Sequence, residues 1–293
     1  MAVLCWRINA DLGLTFFILS RMTSSKEPPS PGQSSYLVYN KHQNWAQITL
    51  NRPDKLNALN HKLREELVAS LNSAAEDPEV HAILLTGSGR AFCSGMDLKE
   101  FPEDDGVKEN GESLNVFSTL ETFPKPVIGA INGYAITGGF ELALCCDILL
   151  ASTEAKFADT HAVLGVIPGA GLSQKLSRLL GLHKAMSMHL TGEFLSAEEA
   201  LRHGLVSHVL DANDLLSFAQ EMTKQIAALD PQISKDIKKL VYEGHRMNLS
   251  QGMSLEKETF GRWANSRKRK NVSERRESVM QNNRDVSSNK DTS

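Results

Sequence analysis

Residues 126–151 set the tightest limits on what this chain can fold into. Val127–Ile131 is an apolar run with strand character, and a turn follows at Asn132-Gly133. Thr137-Gly138-Gly139 then opens a helix expected to reach Cys146, and 148–150 reads as another strand. A glycine pair at a helix start lets a ligand approach bare backbone N–H groups at the positive end of the helix dipole. Such a place suits a bound anion or a developing oxyanion, with Glu141 in the first turn close enough to serve the same ligand. A second reading is open at this point. The glycines would only permit tight helix–strand packing, and Glu141 would only favour the helix N-terminus.

The flanking sequence places this stretch in an α/β fold. Residues 36–39 and 45–50 alternate apolar and polar side chains and predict a hairpin. Arg52-Pro53-Asp54-Lys55 is a turn, and Leu59, Leu63, Leu67 and Leu71 predict one apolar helix face that ends at Asp77-Pro78. Residues 82–86 make a buried strand by composition, and 87–97 form a second glycine-rich loop. Residues 99–115 are polar and charged, as expected of a lid over a pocket. Lys156-Phe157-Ala158 is a further strand, with Asp159 and His161 expected on one face of it. A helix follows to Leu180 and stops at Gly181, and Ser196-Ala197-Glu198-Glu199 is a capping-box start to the next, which ends near His203-Gly204. Strands alternating with helices up to residue 210 predict parallel β/α units. Three regions result: a linker-like extension over 1–35, a core over 36–210, and a helical region with a basic tail over 211–293.

Bulk properties exclude several functions. The chain has 293 residues, 41% of them hydrophobic, enough for a substantial core. With 32 basic and 35 acidic residues, nothing points to nucleic acid as the partner. Residues 1–19 are too interrupted by Arg7, Asn9 and Asp11 for stable membrane insertion. Cys5, Cys93, Cys145 and Cys146 show no C-x-x-C spacing, which fits a reducing compartment and argues against structural zinc or any other metal. Cys145 and Cys146 read as core residues, and His183 and His189 as packed or solvent-facing histidines rather than metal ligands. There is no G-x-G-x-x-G fingerprint and no G-x-S-x-G elbow. The acid-poor start with Arg7 and Arg21 resembles a transit peptide, so a mitochondrial location is expected, with the cytosol as the alternative; Met22 is a second candidate start. Lys290-Asp291-Thr292-Ser293 is not a peroxisomal S-K-L signal.

Several motifs occur in an order that resembles the enoyl-CoA hydratase/isomerase (crotonase) superfamily. They are Asn51-Arg52-Pro53 with Leu56-Asn57-Ala58-Leu59, then 87–98, then 125–133 running into Gly138-Gly139-Phe140-Glu141-Leu142-Ala143. Gly165-Val166-Ile167-Pro168-Gly169, Leu190-Thr191-Gly192 and 200–206 complete the order, so the likeness spans about residues 36–260. The resemblance implies a spiral of ββα units, a C-terminal helical part that forms homotrimers or hexamers, and an acyl-CoA thioester as substrate. Coenzyme A enters as part of that substrate, and no other cofactor is implied. The N–H groups of Met96 and Gly138 match the family's oxyanion donors. Lys55, Leu56 and Ala58, together with Ala91, Cys93 and Ser94, match backbone that lines the CoA moiety. Asp97 would order the oxyanion loop or simply hold a turn.

Family hydratases use two glutamates to hold the water that adds across the enoyl double bond. Glu141 matches the first, and His161 stands at the second. Three readings follow. Glu141 activates water while His161 delivers a proton, with Asp159 orienting the ring, which hydrates 2-trans-enoyl-CoA in fatty-acid β-oxidation. Alternatively, Glu141 and the oxyanion hole shift a double bond. In the third reading the protein binds acyl-CoA without turnover, and His161 only fills the pocket wall.

Overall fold

The computed structural model describes residues 36–100 and 116–265. The extension over 1–35, most of the lid segment and the basic tail lie outside the described residues. The chain begins with the expected hairpin, β1 (Leu37–Lys41) antiparallel to β2 (Trp45–Leu50). A 3-10 turn at Pro53–Lys55 leads to α1 (His61–Glu76), where Asn60 caps the helix by accepting from the Leu63 N–H. Leu63, Leu67, Leu71 and Ala74 form its buried stripe. Leu59 precedes the extended cap residue and is not helical, although its spacing continues the leucine repeat.

The rest of the core repeats one move. β3 (Ala82–Gly87) is followed by β4 (Ala91–Cys93) and α2 (Val116–Glu121). β5 (Val127–Ile131) is followed by β6 (Tyr134–Ile136) and α3 (Gly138–Ala143), and β7 (Ile148–Ser152) by β8 (Lys156–Ala158) and α4 (Leu172–Leu180). In each unit the first strand joins one sheet and the second joins another. The large sheet has the order β1-β2-β3-β5-β7-β10, and the small one β4-β6-β8-β9. Here β9 is Leu195–Ser196 and β10 is His208–Leu210. From β2 to β10 the large sheet is parallel. This is the spiral of ββα units that the motifs imply. It also corrects the reading of 87–97 as loop alone, because Ala91–Cys93 pair with β6 as β4.

α5 (Leu182–Thr191) and α6 (Ala197–Arg202) follow α4, and both bonds of the Ser196/Glu199 capping box are present. The inner strands are buried on both faces, as a parallel sheet requires. Ile83 and Leu85 of β3 point into the main core, whereas Ala82 and Leu84 pack with Leu215, Ala219 and Ala227 of α7 (Leu215–Ala227). α8 (Pro231–His245) and α9 (Leu249–Asn265) contain no buried residue in the single chain.

Candidate active site

Two backbone amides converge where the small sheet meets α3. Leu59 and Met96 form an isolated parallel bridge in which the Leu59 N–H donates to the Gly95 carbonyl at 2.8 Å and the Asp97 N–H to the Leu59 carbonyl at 3.2 Å. In that pattern the N–H of Met96 faces the opposite side, toward α3. Gly138 is the first residue of α3, so its N–H has no partner within the helix. A Cβ on Gly138 would stand 3.3 Å from the Gly95 Cα and 3.4 Å from the Met96 nitrogen. Neither amide donates to an acceptor among the described residues. α3 ends at Ala143, short of the expected Cys146, so the site rests on the direction of two N–H groups more than on a helix dipole.

The backbone just before Gly138 is strained. Thr137 has φ 54°, a rare conformation for a β-branched residue. It is held by bonds from both sides. Its N–H donates to the Ala158 carbonyl at 2.9 Å, its Oγ1 accepts the Thr160 N–H at 3.0 Å, and the two threonine hydroxyls meet at 2.6 Å. The fold therefore ties the start of α3 to the end of β8. Phe140 and Phe157, both fully buried with ring centroids 5.2 Å apart, fix the same two elements and add about 1 kcal/mol beyond their area burial.

This junction sets Glu141 against His161. Glu141 is 4% exposed, and its Oε1 accepts the Ala170 N–H at 2.8 Å. Its Oε2 lies 4.0 Å from His161 Nε2. The other ring nitrogen, Nδ1, lies 2.6 Å from Asp159 Oδ1, which also accepts the His161 N–H at 3.0 Å. Asp159 and His161 do face the same site, but not because they share a strand face. β8 ends at Ala158, and the side chain of Asp159 closes a turn onto the His161 backbone. Asp159 is 1% exposed. Burial pushes its carboxyl up, but hydrogen bonds from His161 and His189 more than offset this, and the net shift is downward. A carboxylate only accepts, so His161 donates from Nδ1 and its Nε2 is the nitrogen that faces Glu141. His189 of α5, read from the sequence as merely packed or exposed, donates its own Nδ1–H to Asp159 Oδ2.

The segments expected to line a CoA moiety lie side by side. The Ser94 N–H donates to the Leu56 carbonyl at 3.0 Å, next to the Leu59–Met96 bridge. Lys55 is exposed, and Leu56, Ala58 and Ser94 are half-buried. Ala91 and Cys93 are fully buried, so these two offer a ligand backbone at most. Burial pushes the Cys93 thiol up to about 12 and the Cys145 thiol to about 11, which removes both as nucleophiles. Two residues missed as functional supports tie the loops together. Asn57, at φ 55° and fully buried, accepts the Arg52 N–H at 2.8 Å and donates to the Ser88 and Ala91 carbonyls at 3.0 and 2.8 Å. Arg52 donates to the Ala58 carbonyl at 2.5 Å and pairs with Asp97 at 3.1 Å. Asp97 thus orders the loop that presents Met96, and it also accepts the Lys99 N–H at 3.3 Å as an Asx turn does. Both of the roles expected for Asp97 are met by one side chain.

A family model described as enoyl-CoA hydratase/isomerase matches residues 40–282. The chain belongs to the enoyl-CoA hydratase/isomerase family. It is 41% identical over 223 residues to a probable peroxisomal enoyl-CoA hydratase 1 of Arabidopsis thaliana, covering 73% of this chain and 80% of that one. It is also 41% identical to a mitochondrial enoyl-CoA hydratase of Pongo abelii, with 73% and 74% covered. The crystal structure of an enoyl-CoA hydratase from Bacillus anthracis superposes with a TM-score of 0.74 at 33% identity, covering 80% of this chain and 93% of that one. As a family member the chain is an acyl-CoA enzyme with the crotonase fold. No group of three potential metal ligands is clustered among the described residues, and no helix there is long and apolar enough to cross a membrane.

Proposed function

We propose that this family member hydrates 2-trans-enoyl-CoA to 3-hydroxyacyl-CoA, as fatty-acid β-oxidation requires. The observation that carries the reading is the gap of 4.0 Å between Glu141 Oε2 and His161 Nε2. One water hydrogen-bonded to both atoms would subtend an angle of about 90°, close to tetrahedral. The thioester oxygen takes hydrogen bonds from the Met96 and Gly138 amides. Glu141 removes a proton from the water as its oxygen bonds to Cβ of the enoyl group. Charge builds on the thioester oxygen and is held by the two amides. His161, protonated on both nitrogens and backed by Asp159, gives its Nε2 proton to Cα. Glu141 then returns its proton to Nε2, so the net addition is one water. On this reading His161 stands where a second glutamate does the same work, and the carboxylate has moved one group back, to Asp159.

We also propose that α8 and α9 carry the contact of a homotrimer, because Ile237, Val241, Leu249, Met253 and Phe260 are exposed apolar side chains there. Mass measurement by light scattering tests this; a monomer at micromolar concentration refutes it. For the reaction, loss of enoyl absorbance with crotonyl-CoA and longer 2-enoyl-CoAs is the direct assay. Tight acyl-CoA binding with no loss of absorbance would refute hydration and leave a binding protein.

A further inference from the structure

We propose that His189 is a positioning residue for His161, acting through Asp159; its catalytic consequence rests on the hydration reading above. The Asp159 carboxylate is buried and its two oxygens are claimed separately. Oδ1 holds the N–H and Nδ1–H of His161, and Oδ2 holds the Nδ1–H of His189. The two rings come from different elements, the turn after β8 and helix α5. With a donor on each oxygen, the carboxylate cannot rotate without breaking a bond to one ring. That lock keeps the Nδ1–H of His161 on Asp159 and leaves Nε2, the nitrogen that gives and regains the proton, facing Glu141.

The second observation concerns the far side of His189. Its Nε2 is buried and has no hydrogen-bond partner among the described residues. A proton there would be an unpaired buried N–H on a charged ring, which is costly. In this proposal His189 acts as an Nδ1–H donor whose Nε2 carries no proton, since an imidazolium would add a buried N–H with nothing to receive it. It satisfies Asp159 Oδ2 without neutralising it, so the negative charge remains available to His161 when that ring carries the proton. A lysine or arginine at this place would satisfy the same oxygen but compete for the charge. The titratable groups facing this chain among the described residues are Glu141 from α3, Asp159 and His161 from the turn, and His189 itself.

The test uses the full-length protein, with nitrogen NMR of the imidazole rings and steady-state kinetics on crotonyl-CoA. In the unsubstituted protein His189 is expected as the neutral Nδ1–H tautomer, with His161 bonded to Asp159 through Nδ1. His189→Leu removes the donor. The Nδ1 hydrogen bond of His161 to Asp159 should then weaken, and kcat should fall about tenfold while KM stays within about twofold, as loss of an orienting partner typically costs. His189→Asn places an amide N–H near the lost Nδ1 and should restore kcat to within about threefold of the parent. An unchanged His161 Nδ1 hydrogen bond and kcat in His189→Leu overturn the proposal, as does a folded His189→Asn enzyme whose kcat stays as low as that of His189→Leu. A charged His189, or one protonated on Nε2, overturns it on the unsubstituted protein alone, even if His189→Leu does not fold. A protein that never hydrates crotonyl-CoA refutes the hydration reading instead, while the ring spectra still decide the role of His189.

Discussion

Gly138 and Gly139 are neighbours, yet a methyl group added to each should act differently, on the fold at Gly139 and on the site alone at Gly138. On Gly139 a Cβ would stand 1.9 Å from the Cys93 carbonyl oxygen and 2.5 Å from its carbon. These are backbone atoms of β4, which pairs with β6, so no side chain can swing aside. Separating them to van der Waals contact means moving α3 by more than about 1 Å, against a cost of about 3 kcal/mol for overpacking. Gly139→Ala is therefore expected to lower the melting temperature by several degrees, about what that energy produces in a domain of this size, and to abolish turnover. On Gly138 the same methyl stands 3.3 Å from the Gly95 Cα and 3.4 Å from the Met96 nitrogen. The fold can absorb contacts of that length with shifts of a few tenths of an ångström. The methyl, however, lies in the gap between the two amides, where an oxygen hydrogen-bonded to both, at about 2.9 Å from each, would press against it. Gly138→Ala should keep its melting temperature within about 2 °C and lose about 10²–10³ in kcat, the usual cost of disabling one oxyanion donor. Melting curves and crotonyl-CoA hydration separate the two effects. A Gly138→Ala enzyme with a kcat near that of the parent would refute the assignment of the Met96/Gly138 gap. A Gly139→Ala protein as stable as the parent would refute the packing argument behind it.

Glu141→Gln keeps an oxygen for the Ala170 N–H, which Glu141 accepts at 2.8 Å, but it cannot take a proton. It should lower kcat by about 10²–10⁴ with KM and melting temperature nearly unchanged; near-normal turnover would make Glu141 structural. The depressed Asp159 carboxyl stabilises the fold above the ordinary carboxylate range, and that contribution is lost as pH falls through its folded-state value. The stability advantage of the parent over Asp159→Asn, measured by denaturant unfolding, should thus be present at pH 6 and shrink below about pH 4. A difference independent of pH would contradict this. Cys93, Cys145 and Cys146 are buried and their thiols are pushed up, so peptide-mapped alkylation at pH 8 should reach them only in denaturant. Rapid labelling of any of the three in the native protein would show that the core opens locally.

The elements legible in the sequence are those whose pattern is local. The leucine stripe of α1, the glycine stop after α4 and the capping box of α6 each depend on residues within one or two turns, and each stands in the structure. The pairing of Met96 with Gly138 came from family likeness, because no local periodicity relates residues so far apart. Two misreadings have one cause. The leucine spacing ran past the Asn60 cap to Leu59, and Asp159 with His161 were set on a strand that ends at Ala158. Periodicity does not mark where an element stops when a side chain, rather than glycine or proline, does the capping. His189 and Arg52 were missed as supports for another reason. Their partners, Asp159 and Asp97, lie 30 and 45 residues away, and only the ββα spiral brings them together.

The spiral also explains how a histidine can stand beside Glu141 at all. An imidazole 4.0 Å from a carboxylate keeps that place only if something fixes its other face. Asp159 does that, and the same Oδ1 also accepts the His161 N–H in the turn after β8. The turn in turn depends on Thr137, whose Oγ1 accepts the Thr160 N–H between Asp159 and His161. Thr137 sits in a strained conformation immediately before Gly138, the residue whose amide faces Met96. The Gly138 amide and the His161 ring are therefore linked through the Thr137 side chain, whose Oγ1 meets both the N–H and the hydroxyl of Thr160. Loosening Thr137 by replacement with alanine should disturb both together, lowering kcat while the Arg52–Asp97 pair and the 55–58 loop stay in place. If Thr137→Ala raised KM for crotonyl-CoA at constant kcat, the coupling of the two would be wrong.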